Sequence, residues 1–326
     1  MQERHCSSAP EFLEYLRLTG AQWGRGPSCS WAFRGQGNAS WPLLPAAWRD
    51  SNKPLLTRTS ARFAPELRMQ SRRLASLIKY VLGQNRVARL TQLSEEQLVA
   101  NIADIIAHTA AELHAIDQFV VMADDVGLRI PSSSSRSVEA YVYRLQAIHL
   151  TAVLNGDKDW LIPELDDTCG LAQHHSVPTR LLDFTLKPLV AAFFAATAPA
   201  GENIAVWAVE TDALRSGRIQ MVTCRRYDNS FLHAQDGLFL HDTEGPYDFI
   251  CNGIWPTLDS LFSSGQVSAG LRKITLPTSE APKLLSLLWR ERISLPHLMP
   301  SYDNIARAMP VFWALLDDSL KEEWPA

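Results

Sequence analysis

The nine residues Leu189–Thr197, LVAAFFAAT, carry no charge. A helix this apolar has no face to offer water, so it is expected to be buried on nearly all sides, with the rest of the chain placed around it. Its approach is polar. Two histidines, His174 and His175, lead into a Val-Pro-Thr-Arg turn, and Leu181-Leu182 then runs as a short strand to Asp183-Phe184-Thr185. Thr185 and Lys187-Pro188 suit a helix entry, because a hydroxyl caps well and proline is tolerated in a first turn. One reading makes Asp183 and Thr185 capping groups only. The other uses them at the mouth of a buried helix, where free N–H groups favour an anionic ligand.

Composition narrows the field around this element. The 326 residues are enough for one large or two smaller cores, and 46% hydrophobic with 20% charged content is ordinary for a globular chain. A net charge of −4 argues against a surface that attracts nucleic acid everywhere, though not against a local basic patch. No apolar run approaches the roughly 20 residues of a membrane helix, and the first residues lack the basic-then-apolar order of a secretion signal. The five cysteines are scattered, with no CxxC and no zinc spacing, which fits reduced thiols in a cytoplasmic protein and no metal site.

Taken in order, Ser8–Leu18 has the apolar spacing of a helix. Trp31 and Phe33 alternate as in a strand that ends at Arg34-Gly35-Gln36. Arg34 is either a surface ion-pair member or a partly buried guanidinium needing a partner rich in acceptor oxygens. Arg58–Arg89 holds eight basic residues against Glu66 alone. It reads as a solvated face or as a phosphate-tracking one. Ser94-Glu95-Glu96-Gln97 is a capping box opening a helix to about Ala123, with Glu112 inside it. A serine run, Ser132–Ser135, precedes another helix over Val138–Leu154. Residues 58–155 thus form a helical block between Arg34 and the central stretch. Strands are then expected at Asn203–Val209, Gln220–Cys224, Gly237–Leu240 and Lys273–Leu276. Helices follow at Ser279–Arg292 and Ser301–Leu320, the latter interrupted or bent near Pro310. The order implies an α+β protein with a mostly antiparallel sheet. Neither GxGxxG nor GxxxxGK[ST] is present, so Rossmann and P-loop readings have no support.

Three stretches resemble the FRG domain family, named for its Phe-Arg-Gly motif. They are Phe33-Arg34-Gly35-Gln36 with Trp41–Pro45, then Gln173-His174 through Pro178–Asp183 to Pro188–Ala191, and Gln235–Phe239. The later Ile293–Ala306 resembles that family's closing helix entry. The resemblance spans about residues 10–308 of a single FRG-like domain covering 1–326. The motif order is similar to that of mono-ADP-ribosyltransferases, which implies an ADP-ribosyltransferase-like sheet core with residues 58–155 as a helical insertion, and NAD as cofactor. The resemblance further implies a bacterial toxin or phage-defence effector with RNA or protein as acceptor and an antitoxin or inhibitor as a further partner.

On that resemblance the catalytic candidates are Arg34, Thr185, Gln235 and Asp183. The NAD-binding candidates are Arg34, Gly35, Gln36, His174, His175, Arg180 and Thr185. Breaking the nicotinamide–ribose bond places positive charge on the sugar, so a carboxylate or amide is wanted beside it and an arginine on the diphosphate. Gly237 stands where the family-like motif would have its glutamate, leaving Asp236, Gln235, Glu112 or Asp183 to supply the group, or the site inactive. Arg180 either serves a phosphate or pairs with Asp183 to hold the turn. Two other readings remain open: an RNA hydrolase using His174, His175 and Asp183, and a non-catalytic module that binds a nucleotide or a partner.

Overall fold

Strand β4 (Asn203–Glu210, NIAVWAVE) is buried at every position between its two ends. A strand of that kind has to be central and covered on both faces. In a computed structural model, which describes residues 1–24, 29–52, 93–130, 166–214, 217–224 and 230–323, it lies third in a seven-stranded sheet. The other strands are β1 (Gln2–His5), β2 (Trp31–Gln36), β3 (Leu182–Thr185), β5 (Ile219–Val222), β6 (Gly237–Asp242) and β7 (Leu271–Pro277), in the order β1-β7-β4-β2-β3-β6-β5. Every neighbouring pair is antiparallel except β1 with β7, which is parallel. The mixed α+β class with a mostly antiparallel sheet is therefore observed.

The helices among the described residues are α1 (Ala9–Leu16), α2 (Glu95–Asp125), α3 (Asp166–His174), α4 (Pro188–Thr197) and α5 (Ser230–Gln235). They continue with α6 (Gly245–Asn252), α7 (Leu258–Ser263), α8 (Ala281–Arg290), α9 (Leu295–Leu298) and α10 (Tyr302–Glu323). Ser94 opens α2 with the reciprocal capping box its sequence calls for: Gln97 N donates to Ser94 Oγ, and Ser94 N donates to Gln97 Oε1. Helix α10 continues through Pro310, where an interruption or bend was expected. The basic run Arg58–Arg89, the serine run and the helix expected over Val138–Leu154 lie outside the described residues.

The two sheet faces carry separate apolar layers. On one, Phe33, Val206, Ala208 and Ile274 pack under α1, α4 and α8. On the other, Leu182, Phe184, Trp207 and Leu240 pack with α7. As its composition requires, α4 buries seven of its ten residues. It also sits unusually close to the sheet. A Cβ on Gly35 would overlap the Ala191 carbonyl oxygen, and one on Gly37 would overlap that of Ala198. Glycine at 35 is therefore a packing requirement that lets α4 lie against β2.

Candidate functional site

The site follows from an interruption in backbone pairing. β2 pairs with β4 along its whole length, from Trp31↔Glu210 to Gln36↔Ala205, but with β3 only at Phe33↔Thr185. Beyond that pair the two strands no longer share a ladder. Arg34 reaches across instead: its Nη1 donates to the Asp183 carbonyl oxygen at 2.9 Å and approaches Asp183 Oδ2 at 3.5 Å.

A cavity of about 260 Å³ opens at this point. β2 supplies Arg34 and Gly35, β3 supplies Asp183 and Thr185, and the end of α3 supplies Gln173 and His174. Gln235, at the end of α5, also lines it. The apolar part of the wall comes from Phe33, Phe184, Phe194 and Met299. Polar groups converging on an apolar hollow are the usual makeup of a small-molecule site.

The cavity wall pairs a guanidinium with a carboxylate. The Arg34 side chain is 14% exposed and that of Asp183 45%. At 3.5 Å and with the acid half in water, the pair is a loose one that leaves the guanidinium able to bind elsewhere. Arg34 Nε is buried and has no hydrogen-bond partner among the described residues, and the same holds for His174 Nε2. Burial, and secondarily His175, lower the proton affinity of His174, while Asp183 opposes them. The imidazole is therefore held towards its neutral form. Arg49 adds a second guanidinium within electrostatic reach: burial and then Arg34 lower its proton affinity, and Asp183 raises it. Its Nε donates to the Leu44 carbonyl at 2.9 Å.

Thr185 and Gln235 are coupled through one bond. Thr185 Oγ1 donates to the Gln235 carbonyl at 2.5 Å and accepts the Lys187 amide at 3.0 Å. Lys187 occupies the N-cap position of α4, so Thr185 braces the helix entry from two residues earlier without capping it. Among the described residues the Gln235 amide makes a long bond, from Nε2 to the Leu298 carbonyl at 3.5 Å. Gly237 pairs with Thr185 across β3 and β6, and a Cβ there would fall 2.5 Å from Leu232 Cδ1. A side chain at 237 would therefore require the end of the Leu232 side chain to shift. Asp236, at φ 51°, stands outside the cavity lining.

Several expected residues lie elsewhere. Arg180 touches neither the cavity nor Asp183. It is 1% exposed, its Nε donates to Glu112 Oε2 at 2.9 Å, and its backbone amide donates to Glu112 Oε1 at 2.8 Å. A buried guanidinium needs a buried acid, and α2 brings one, which removes Glu112 from the cleft as well. Gln36 does not line the cavity: strand alternation puts it on the same side of β2 as Arg34, but its amide is taken up by other partners. Its Oε1 accepts from Trp207 Nε1 at 2.7 Å and its Nε2 donates to the Pro42 carbonyl at 3.2 Å. His175 is exposed, outside the lining, and stacked against Phe119 at 6.0 Å between centroids. Gln173, Arg49 and Met299 had no assigned role in the sequence. Only Gln173 carried a signal there, as part of the Gln-His stretch that resembles the family.

No helix among the described residues is long and apolar enough to cross a membrane. No group of His, Cys, Asp or Glu among them could hold a metal ion. No curated protein and no solved structure matches the chain. Among protein families there is a match, and it covers the turn, β3 and α4 on one side of this cleft: residues 132–203 match the FRG domain family.

Proposed function

We propose that this chain is an NAD-dependent mono-ADP-ribosyltransferase acting on a macromolecule, RNA or protein. In this reading the sheet is of the ADP-ribosyltransferase-like type, and the cleft beside β2 is its dinucleotide site. One observation carries it: Arg34 Nε and His174 Nε2 are both buried in the wall of one cavity with no partner among the described residues. Buried polar groups left in that state cost about 1–3 kcal/mol each; a phosphate-bearing ligand would remove the cost at Arg34, and at His174 in its Nε2–H tautomer.

The residues present fit that group. Arg34, supported by Arg49, would hold the diphosphate, and Phe33, Phe184, Phe194 and Met299 offer a dry surface to the nicotinamide ring. At about 260 Å³ the cavity is at the small end for ligand sites, so it suits the nicotinamide-riboside end of NAD. Bound there, NAD supplies an ADP-ribosyl group whose bond to nicotinamide breaks with the electron pair leaving on the ring. Asp183 would face the positive charge that grows on the sugar, and would take the proton released by the incoming nucleophile. Gln235, fixed through its carbonyl by Thr185, would present its amide to that nucleophile.

Incubation with NAD labelled on its adenylate, together with cell extract, tests the proposal. Transfer of label to RNA or protein that is lost in Arg34→Ala is the expected result. Absence of transfer, or transfer that survives Arg34→Ala, would refute it. One observation favours a second reading, that of a non-catalytic nucleotide-binding module: position 237 is a glycine, with the end of Leu232 packed against it. In that case NAD binds and is recovered intact.

A further inference from the structure

Asp183 is held by a directional chain of hydrogen bonds that starts in the core. Thr179 is 1% exposed. Its Oγ1 accepts the Leu181 amide at 3.2 Å and donates to Gln173 Oε1 at 2.6 Å. Gln173 Nε2 then donates to Asp183 Oδ2 at 2.7 Å. A carboxylate offers only acceptors, so Gln173 can face it only with its NH₂ end, leaving its carbonyl for a donor. Thr179 is that donor, because an amide oxygen only accepts, and the Thr179 hydroxyl can give its proton to Gln173 while taking the Leu181 amide on a lone pair. Each link therefore permits one orientation of the next.

The origin of the chain is itself anchored. The Thr179 carbonyl accepts the Ala47 amide at 3.0 Å, and the next residue, Arg180, is locked to Glu112. Without Gln173, the Asp183 side chain would rely on Arg34 at 3.5 Å, too long and too wet a contact to select one rotamer.

We propose that Gln173 is the positioning residue of the cleft, setting the Asp183 carboxylate towards the sugar of the bound dinucleotide in place of an acid at position 237. The identity of the sugar rests on the NAD reading above; the steering of Asp183 by Gln173 does not.

Gln173→Met keeps the length of the side chain and removes both the amide's donor and its acceptor. Crystal structures of the wild type and the variant report the Asp183 rotamer, and NAD turnover is measured on the same preparations. In the variant, Asp183 is expected to leave Arg34 by more than about 4 Å, beyond ion-pair range. The kcat for NAD should fall about 10–100-fold, with KM changing less than about threefold. Gln173→Glu places two carboxyl groups together, and its turnover should recover as pH falls and a protonated Glu side chain again donates to Asp183. A residue with a merely structural role gives no such acid recovery.

Gln173→Glu also serves for both measurements if Gln173→Met does not fold. The proposal is overturned if Asp183 keeps its place in Gln173→Met, or in Gln173→Glu at neutral pH, or if it moves while kcat stays at the wild-type value. A wild type that leaves NAD untouched, combined with a displaced Asp183 in the variant, refutes the NAD reading and upholds the positioning of Asp183.

Discussion

His241 should make this protein acid-sensitive by a calculable amount. It lies on β6, is 3% exposed, and its pKa is pulled from 6.5 to about 3, first by burial and then by the positive charge of Arg180. The folded chain thus holds a neutral imidazole that the unfolded chain would protonate below about pH 6.5. The folded pKa is the depressed one, so the stability is fully present above pH 6.5 and is lost as pH falls towards 3. At pH 5 the unfolded side chain gains about 2 kcal/mol from its proton, and the native state gains almost nothing. Urea unfolding followed by tryptophan fluorescence at pH 7 and pH 5, in the wild type and in His241→Leu, isolates this contribution. Surface carboxylates titrate equally in both proteins and cancel in the comparison. The wild type should lose about 2 kcal/mol more than the variant between the two pH values. Equal losses would show that His241 is protonated in the fold, and the argument from burial would fail.

Three more outcomes follow from the packing and the cleft. Glu112→Ala removes the carboxylate held against the buried Arg180 guanidinium and should cost about 3–5 kcal/mol in urea unfolding, whereas the double change Glu112→Leu with Arg180→Met should recover most of it. Gly35→Ala drives a Cβ into the Ala191 carbonyl, so α4 must shift off β2. A loss of about 1–3 kcal/mol by thermal unfolding is expected, and an unchanged midpoint would contradict the close approach. Arg34→Ala should lower NAD turnover about 10²–10³-fold, and Arg34→Lys should not restore it, since a single ammonium cannot replace a planar fork of donors.

What the sequence disclosed was local. Helix α4 and strand β4 announce themselves by continuous apolar runs, and Ser94 with Gln97 marks the start of α2 within four residues. The short helices α5 and α7, six residues each, are too brief to show a period, and β1 is exposed throughout, so it has no alternation to read. The candidate site was legible in part. Arg34, Asp183, Thr185 and Gln235 could be named, but the partner of Arg180 lies 68 residues away on α2, and nothing in the turn itself indicates it. Gln36 was misplaced for a similar reason. Its neighbours fix which side of the strand it occupies, and only the neighbouring β4 brings Trp207 to it. The cleft arises from a ladder that stops after one pair, a property of how strands meet rather than of any residue in them.

That single rung between Phe33 and Thr185 divides the sheet into a four-strand panel and a three-strand panel joined at one stitch. Arg34 acts as the strut across the open seam, gripping the far panel by the main chain of Asp183. An anion that drew the guanidinium away would remove the strut and so would couple occupancy of the cleft to the spacing of the two panels. Amide exchange in β3 should then quicken when Arg34 is occupied, while β4, laced to both of its neighbours, stays protected.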